Sequence, residues 1–104
     1  MPAVHSRIRL DLNNPEFQEV PFRLEIAELK QVVASLRRLR ELGWIEFYRR
    51  KGFHWEAIEH LKALNGAKVH SLRLSQKIRA LAFRDGEFLR FVSLHPDHDS
   101  AYER

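Results

Sequence analysis

Two groups of side chains in the last third of the chain have useful chemistry. The run HPDHDSAY, residues 95 to 102, gathers His95, Asp97, His98, Asp99 and Tyr102. Imidazoles titrate near neutral pH, so His95 and His98 can take or give a proton under ordinary conditions. Tyr102 adds a ring for stacking and a hydroxyl for proton transfer. Upstream stand Arg73, Lys77, Arg79 and Arg90. A guanidinium forks onto a phosphate through parallel hydrogen bonds, which makes Arg79 a natural clamp with Arg73 and Lys77 beside it. The combined chemistry is proton transfer next to a bound phosphate.

Each residue also has a plain structural reading. Arg79 can pair with Asp97 or Glu87, and Arg90 can be an interface or structural residue. His95 precedes Pro96 and can close a strand with its ring bonded to backbone. Asp97 and Asp99 are ordinary turn residues. Tyr102 stands close to the chain end, where fraying is common. His95, Asp97, His98 and Asp99 would supply four metal ligands in five residues. No Cys or His cluster elsewhere completes such a site, so no metal and no cofactor are expected.

The elements that position these groups are strands. Asp85-Gly86 lies between two alternating runs and signals a tight hairpin. A turn on those residues pairs Arg84 with Glu87, Phe83 with Phe88, Leu81 with Arg90 and Arg79 with Val92. Alternation gives two faces. One carries Ile78, Ala80, Ala82, Leu89 and Phe91, with alanines small enough for a helix to approach. The other carries Lys77, Arg79, Leu81, Phe83, Phe88, Arg90 and Val92. A preceding strand around Leu72, joined by a three-residue loop at Leu74 to Gln76, pairs Arg73 with Lys77 and Ser71 with Arg79. Arg73, Lys77, Arg79 and Arg90 then share one face. Isolated buried cations are costly, so this face is expected to be open to a substrate or a protein partner.

Earlier in the chain, Ile8, Leu10 and Leu12 alternate as a first strand. Asn14-Pro15-Glu16 opens a short helix that Pro21 ends. Apolar residues at Phe22, Ile26, Leu29, Val32, Val33, Leu36 and Leu39 predict a helix from about 22 to 42, stopped by Gly43. Arg37, Arg38 and Arg40 suit the end of its dipole as a solvated face. Joined by Arg49, Arg50 and Lys51, they also offer a phosphate-contacting patch. Trp44 to Lys51 reads as another helix, with Trp44, Ile45, Phe47 and Tyr48 inward and Gly52 as cap. Trp44 and Trp55 suit a core better than a base-stacking platform. Residues 54 to 64 fit either a helix capped at Asn65-Gly66 or an extended connector. The order predicts one α+β domain over 1–104, with helices on one face of a small antiparallel sheet.

Composition sets the outer bounds. The chain has 104 residues, 44% of them apolar, enough for one domain with a modest core. Eighteen basic against 14 acidic side chains leave a net charge of +4, a weak pointer to polyanions or acidic partners. There is no cysteine, hence no disulfide and no thiolate chemistry. No signal-like or membrane-spanning apolar run is visible, so a cytoplasmic location is expected.

The run SLRLSQKIRALAFRDGEFLRFVSL resembles the sheet of the RelE/ParE superfamily of bacterial type II toxins. There a basic strand leads to a second strand that starts with an arginine, here Arg79. HPDHDSAY is similar to that family's last strand and tail, and WEAI at 55 to 58 to the segment entering its sheet. The similarity covers residues 55 to 102; NNPEFQEV and the long helix carry no signature of the family. The resemblance implies a small toxin bound by a cognate antitoxin. RelE-like members are endoribonucleases that cut mRNA, mostly on the ribosome. ParE-like members poison DNA gyrase and need no nuclease site, and an inactive antitoxin-binding relative is a further alternative. The two histidines and the tyrosine of this tail favour the nuclease branch. That branch gives Arg79, His98, Tyr102 and His95 catalytic roles, and RNA contacts to Arg73, Lys77 and Arg90. Glu56 is a base only by loose analogy. Metal-free cleavage needs a base for the 2′-hydroxyl, cations for the phosphorane and an acid for the 5′-oxygen. The antitoxin is expected to cover the basic face.

Overall fold

The computed structural model describes residues 7–96. It contains β1 (Arg9–Asp11), α1 (Pro15–Glu19), α2 (Ile26–Arg40), α3 (Trp44–Arg49), β2 (Glu56–Lys62), β3 (Lys68–Arg73), β4 (Arg79–Asp85) and β5 (Phe88–His95). The strands form one sheet in the order β1-β5-β4-β3-β2. β2 to β5 are antiparallel neighbours, and β1 runs parallel to β5. Among the described residues no helix is long and apolar enough to cross a membrane.

The fold is α+β as expected, but the sheet is mixed and has five strands. Two local patterns hide this. Residues 56–62 have helical spacing yet form β2, because Glu56 and Ala57 find partners in Ser71 and His70 of β3. Asn65-Gly66 is a hairpin turn, not a helix cap. Gly66 sits at φ 86°, where a side chain would strain the backbone. β1 meets β5 only after most of the chain has intervened, so nothing near Ile8 announces that pairing.

The helices cover one sheet face. Asn14 caps α1: its side-chain oxygen accepts from the Glu16 N–H at 2.8 Å, and Pro15 fills the first turn. Phe17 of α1 then packs on Phe91 of β5, with ring centroids 5.1 Å apart. Pro21 opens a short 3-10 turn and Leu24 and Glu25 are extended, so α2 starts at Ile26 and not at Phe22. Phe22 and Ile26 are consequently exposed, as are Val33, Ile45 and Tyr48. The stripe that α2 buries is Val32, Ser35 and Leu39, facing a core that includes Leu72, Ala80, Ala82, Leu89 and Phe91. After α2, the Gly43 N–H donates to the Glu46 carboxylate at 3.0 Å and starts α3.

Ser35 is the polar member of that stripe. Its hydroxyl donates to the Leu74 carbonyl and accepts from Arg38 Nη2 at 2.9 Å. Ser35→Ala leaves the Leu74 carbonyl without this donor inside the core. It is expected to cost about 1–3 kcal/mol, read as a lower urea midpoint at unchanged slope.

In both strand connections the pairing is shifted by two residues from expectation. The β4–β5 turn is Gly86-Glu87, since Asp85 pairs with Phe88 and Phe83 with Arg90. Gly86 takes φ 62°, so glycine stands at the first central position and not the second. The β3–β4 loop spans Leu74 to Ile78, pairing Arg73 with Arg79 and Ser71 with Leu81. A shift of two keeps every side chain on its expected face. A bulge then changes the rule beyond Val92. Ala82 pairs with Phe91 but Leu81 with Ser93, so Val92 is the extra residue.

Candidate functional site

The bulge decides which side chains meet. In an unbroken strand Leu94 would follow Val92 onto the basic face, and Ser93 and His95 would enter the helix-side core. With the extra residue, Leu94 joins the core and Arg79 faces His95. Arg73 is the next partner of Arg79 on the other side. The result is a cross-strand row, Arg73–Arg79–His95, over three adjacent strands. Beside it runs a second row, Ser71–Leu81–Ser93.

The rows are tightly set. Arg79 is 8% exposed and His95 7%, and Ser71 and Ser93 are buried. Ser93 Oγ lies 2.8 Å from His95 Nε2. The hydroxyl donates when Nε2 is bare and accepts when Nε2 carries a proton. The serine therefore supports the ring in both states of a proton-transfer cycle. Arg73 is partly exposed, and its buried Nε has no hydrogen-bond partner among the described residues. Two cations side by side on one sheet face are unfavourable, an arrangement that suits an anion.

The expected set is only partly assembled. Arg79, Arg73 and His95 come together. Arg90 shares their face but pairs with Phe83, four residues along β4 from Arg79 or about 13 Å at the usual strand rise. Its guanidinium is held by Asp11 at 2.6 Å and Asp85 at 2.8 Å. The Asn13 N–H, which donates to the Asp11 carboxylate at 3.0 Å, and this guanidinium hold the Asp11 carboxyl below its ordinary value. The geometry of Arg90 is that of a structural ion pair fastening β1 to the β4–β5 turn. Lys77 is also misplaced by the expectation. It is exposed in the β3–β4 loop and borders a surface hollow with Glu25 and Glu28. Glu56 faces Ser71 on the edge strand, three strands from Ser93, or about 14 Å at the usual strand spacing. It cannot bond His95 directly. Asp97, His98, Asp99 and Tyr102 lie outside the described residues.

The face is not bare beyond the row. Leu81 packs with Ile58 and Val69 in a second apolar cluster. A groove of about 550 Å³ continues from it, bordered by Leu61, Leu64, Phe83 and Val92 with Arg90 at its rim. Leu64 is fully exposed.

On the helix side, both tryptophans belong to packing. Arg84 lies 4.4 Å over Trp44, whose indole N–H donates to the Glu87 carbonyl at 3.3 Å. Trp55 stacks on His70 at 4.1 Å with rings 3° from parallel. Burial pushes His70 below its ordinary value, outweighing the upward pull of the Lys68 carbonyl. The unfolded chain therefore binds the proton more readily. The stability this ring contributes is complete above about pH 6.5 and is lost as pH falls through the lower folded value. Wild type should lose urea midpoint on acidification from pH 7 to 5, and His70→Gln should flatten that slope.

No protein-family model, curated protein or solved structure matches this chain significantly.

Proposed function

We propose that this chain is a RelE-like toxin of a bacterial type II toxin–antitoxin pair. Its activity is metal-independent cleavage of mRNA in the cytoplasm, with the ribosome presenting the substrate. The observation that supports this most is the row in which Arg79 stands between Arg73 and His95. Arg79 and Arg73 hold the scissile phosphate and offset the charge of the phosphorane. The 2′-hydroxyl attacks phosphorus, the bond to the 5′-oxygen breaks, and a cyclic phosphate remains. His95, steadied by Ser93, moves one of the two protons. The resemblance assigns the other to His98 or Tyr102. Arg73, the partly exposed member, is the side from which the phosphate approaches.

The apolar groove supports the partner side of the same reading. Its exposed Leu64 and borders of Leu61, Phe83 and Val92 suit a protein segment rather than RNA. An antitoxin seated there covers the face next to the row. The same groove is what favours a non-enzymatic alternative, a gyrase-directed or purely antitoxin-binding module.

Induction of the chain alone in a bacterial culture separates these readings. Growth arrest with new ends inside translated transcripts, absent for Arg79→Ala and His95→Ala, supports the nuclease. Arrest without such ends points to a ParE-like target, and normal growth to a binding module.

A further inference from the structure

We infer that Arg38, Arg50 and Arg73 form a separate phosphate site, joined to the Arg79–His95 pair through Arg73. The three arginines border one hollow of about 280 Å³, together with Ser75 and Gln76. They come from different places in the chain. Arg38 lies in the last turn of α2, Arg50 just after α3, and Arg73 at the end of β3.

Four observations point to an anion. Among the described residues no carboxylate borders the hollow. Among the described residues none of these arginines is ion-paired; the carboxylate pairs engage Arg7 and Arg90. Arg38 is pre-aimed, because Ser35 accepts from its Nη2 at 2.9 Å and is itself tied to the Leu74 carbonyl. The buried Nε of Arg73 has no hydrogen-bond partner among the described residues. Arg38 and Arg50 are exposed like their neighbours Arg37, Arg40, Arg49 and Lys51, but those four do not border the hollow, so the convergence is selective.

The geometry of the donors sets the ligand class. One guanidinium fork satisfies a carboxylate. Three forks arriving from three elements suit a tetrahedral anion with three or four acceptor oxygens. At about 30 Å³ per water the hollow has room for a phosphate and part of its hydration shell. Resting on the RNA reading for the source of that phosphate, it is a backbone phosphate neighbouring the scissile one. Arg73 then touches both phosphates and sets the register of the strand.

The test uses the ¹⁵N-labelled full chain titrated with inorganic phosphate and, separately, with a 2′-O-methyl RNA hexamer that cannot be cleaved. Phosphate should give saturable shifts at the amides of Gly52, Ser75 and Gln76. Arg38→Ala and Arg50→Ala should weaken both ligands by about tenfold or more. Each should also lower the salt slope of hexamer binding by about one. Arg37→Ala and Arg40→Ala should change neither site-specific shifts nor affinity. Diffuse shifts without saturation, or equal weakening by Arg37→Ala and Arg40→Ala, overturn the site. Phosphate binding that depends on Arg38 while hexamer binding does not overturns the backbone assignment and leaves a site for free phosphate. Because the hexamer is uncleavable, these results hold whether or not the chain proves to be a nuclease.

Discussion

Arg79→Ala should lower RNA cleavage by about 10²–10³-fold, the usual loss when one donor to a developing oxyanion is removed. Arg79 sits between Arg73 and His95 on the same sheet face, so a phosphate touching it is within reach of both. Arg79→Lys should recover little, because an ammonium cannot reproduce the planar fork. His95→Ala should be comparably damaging, and the double variant should fall far short of the product of the two losses, since the residues act as one unit. Single-turnover cleavage of an end-labelled RNA measures all three, with thermal unfolding run alongside to exclude loss of fold. An Arg79→Ala chain that stays folded and cleaves at the wild-type rate would remove the row from the mechanism.

The division of the hairpin into an apolar and a basic face was legible from alternation alone. It survives the change of register, because partners shifted by two residues keep the same parity. The bulge at Val92 was not anticipated, yet a signal for it was present. Unbroken alternation through FVSLH buries Ser93 and His95 among the helices and leaves Leu94 on the basic face. An extra residue repairs all three at once. The carboxylates that hold Arg90 show the opposite limit. Asp85 is five residues away and Asp11 is 79, and no local pattern links the second to its partner. The convergence of Arg38 and Arg50 on Arg73 likewise depends on where α2 and α3 dock. From the sequence they were two members of a six-cation patch, and only packing separates them from the other four.

α3 docks through Trp44 and Phe47, and removal of the more deeply buried Phe47 ring should give the largest loss of stability. Phe47 is 1% exposed and meets the rings of Trp44, Tyr48, Phe53 and Trp55 at 5.2 to 5.9 Å between centroids. Truncating a buried phenylalanine costs about 3–5 kcal/mol, transfer and cavity together. Domains of this kind have only about 5–15 kcal/mol in total, so Phe47→Ala should stand near the edge of folding. Tyr48 is the internal control. It follows directly in the chain but is half exposed, and beyond its ring contacts its hydroxyl accepts from Arg84 Nη1 at 3.0 Å at the surface. Tyr48→Ala should cost about 1 kcal/mol, the usual size of a surface change that leaves no cavity. Urea unfolding followed by the fluorescence of Trp44 and Trp55 reads both variants, because both indoles contact the Phe47 ring. Equal losses for the two variants would mean that α3 does not bury the face described. A large gap would show that the segment carrying Arg50 is held by the aromatic cluster and not by its own short helix, which at six residues is too short to persist alone.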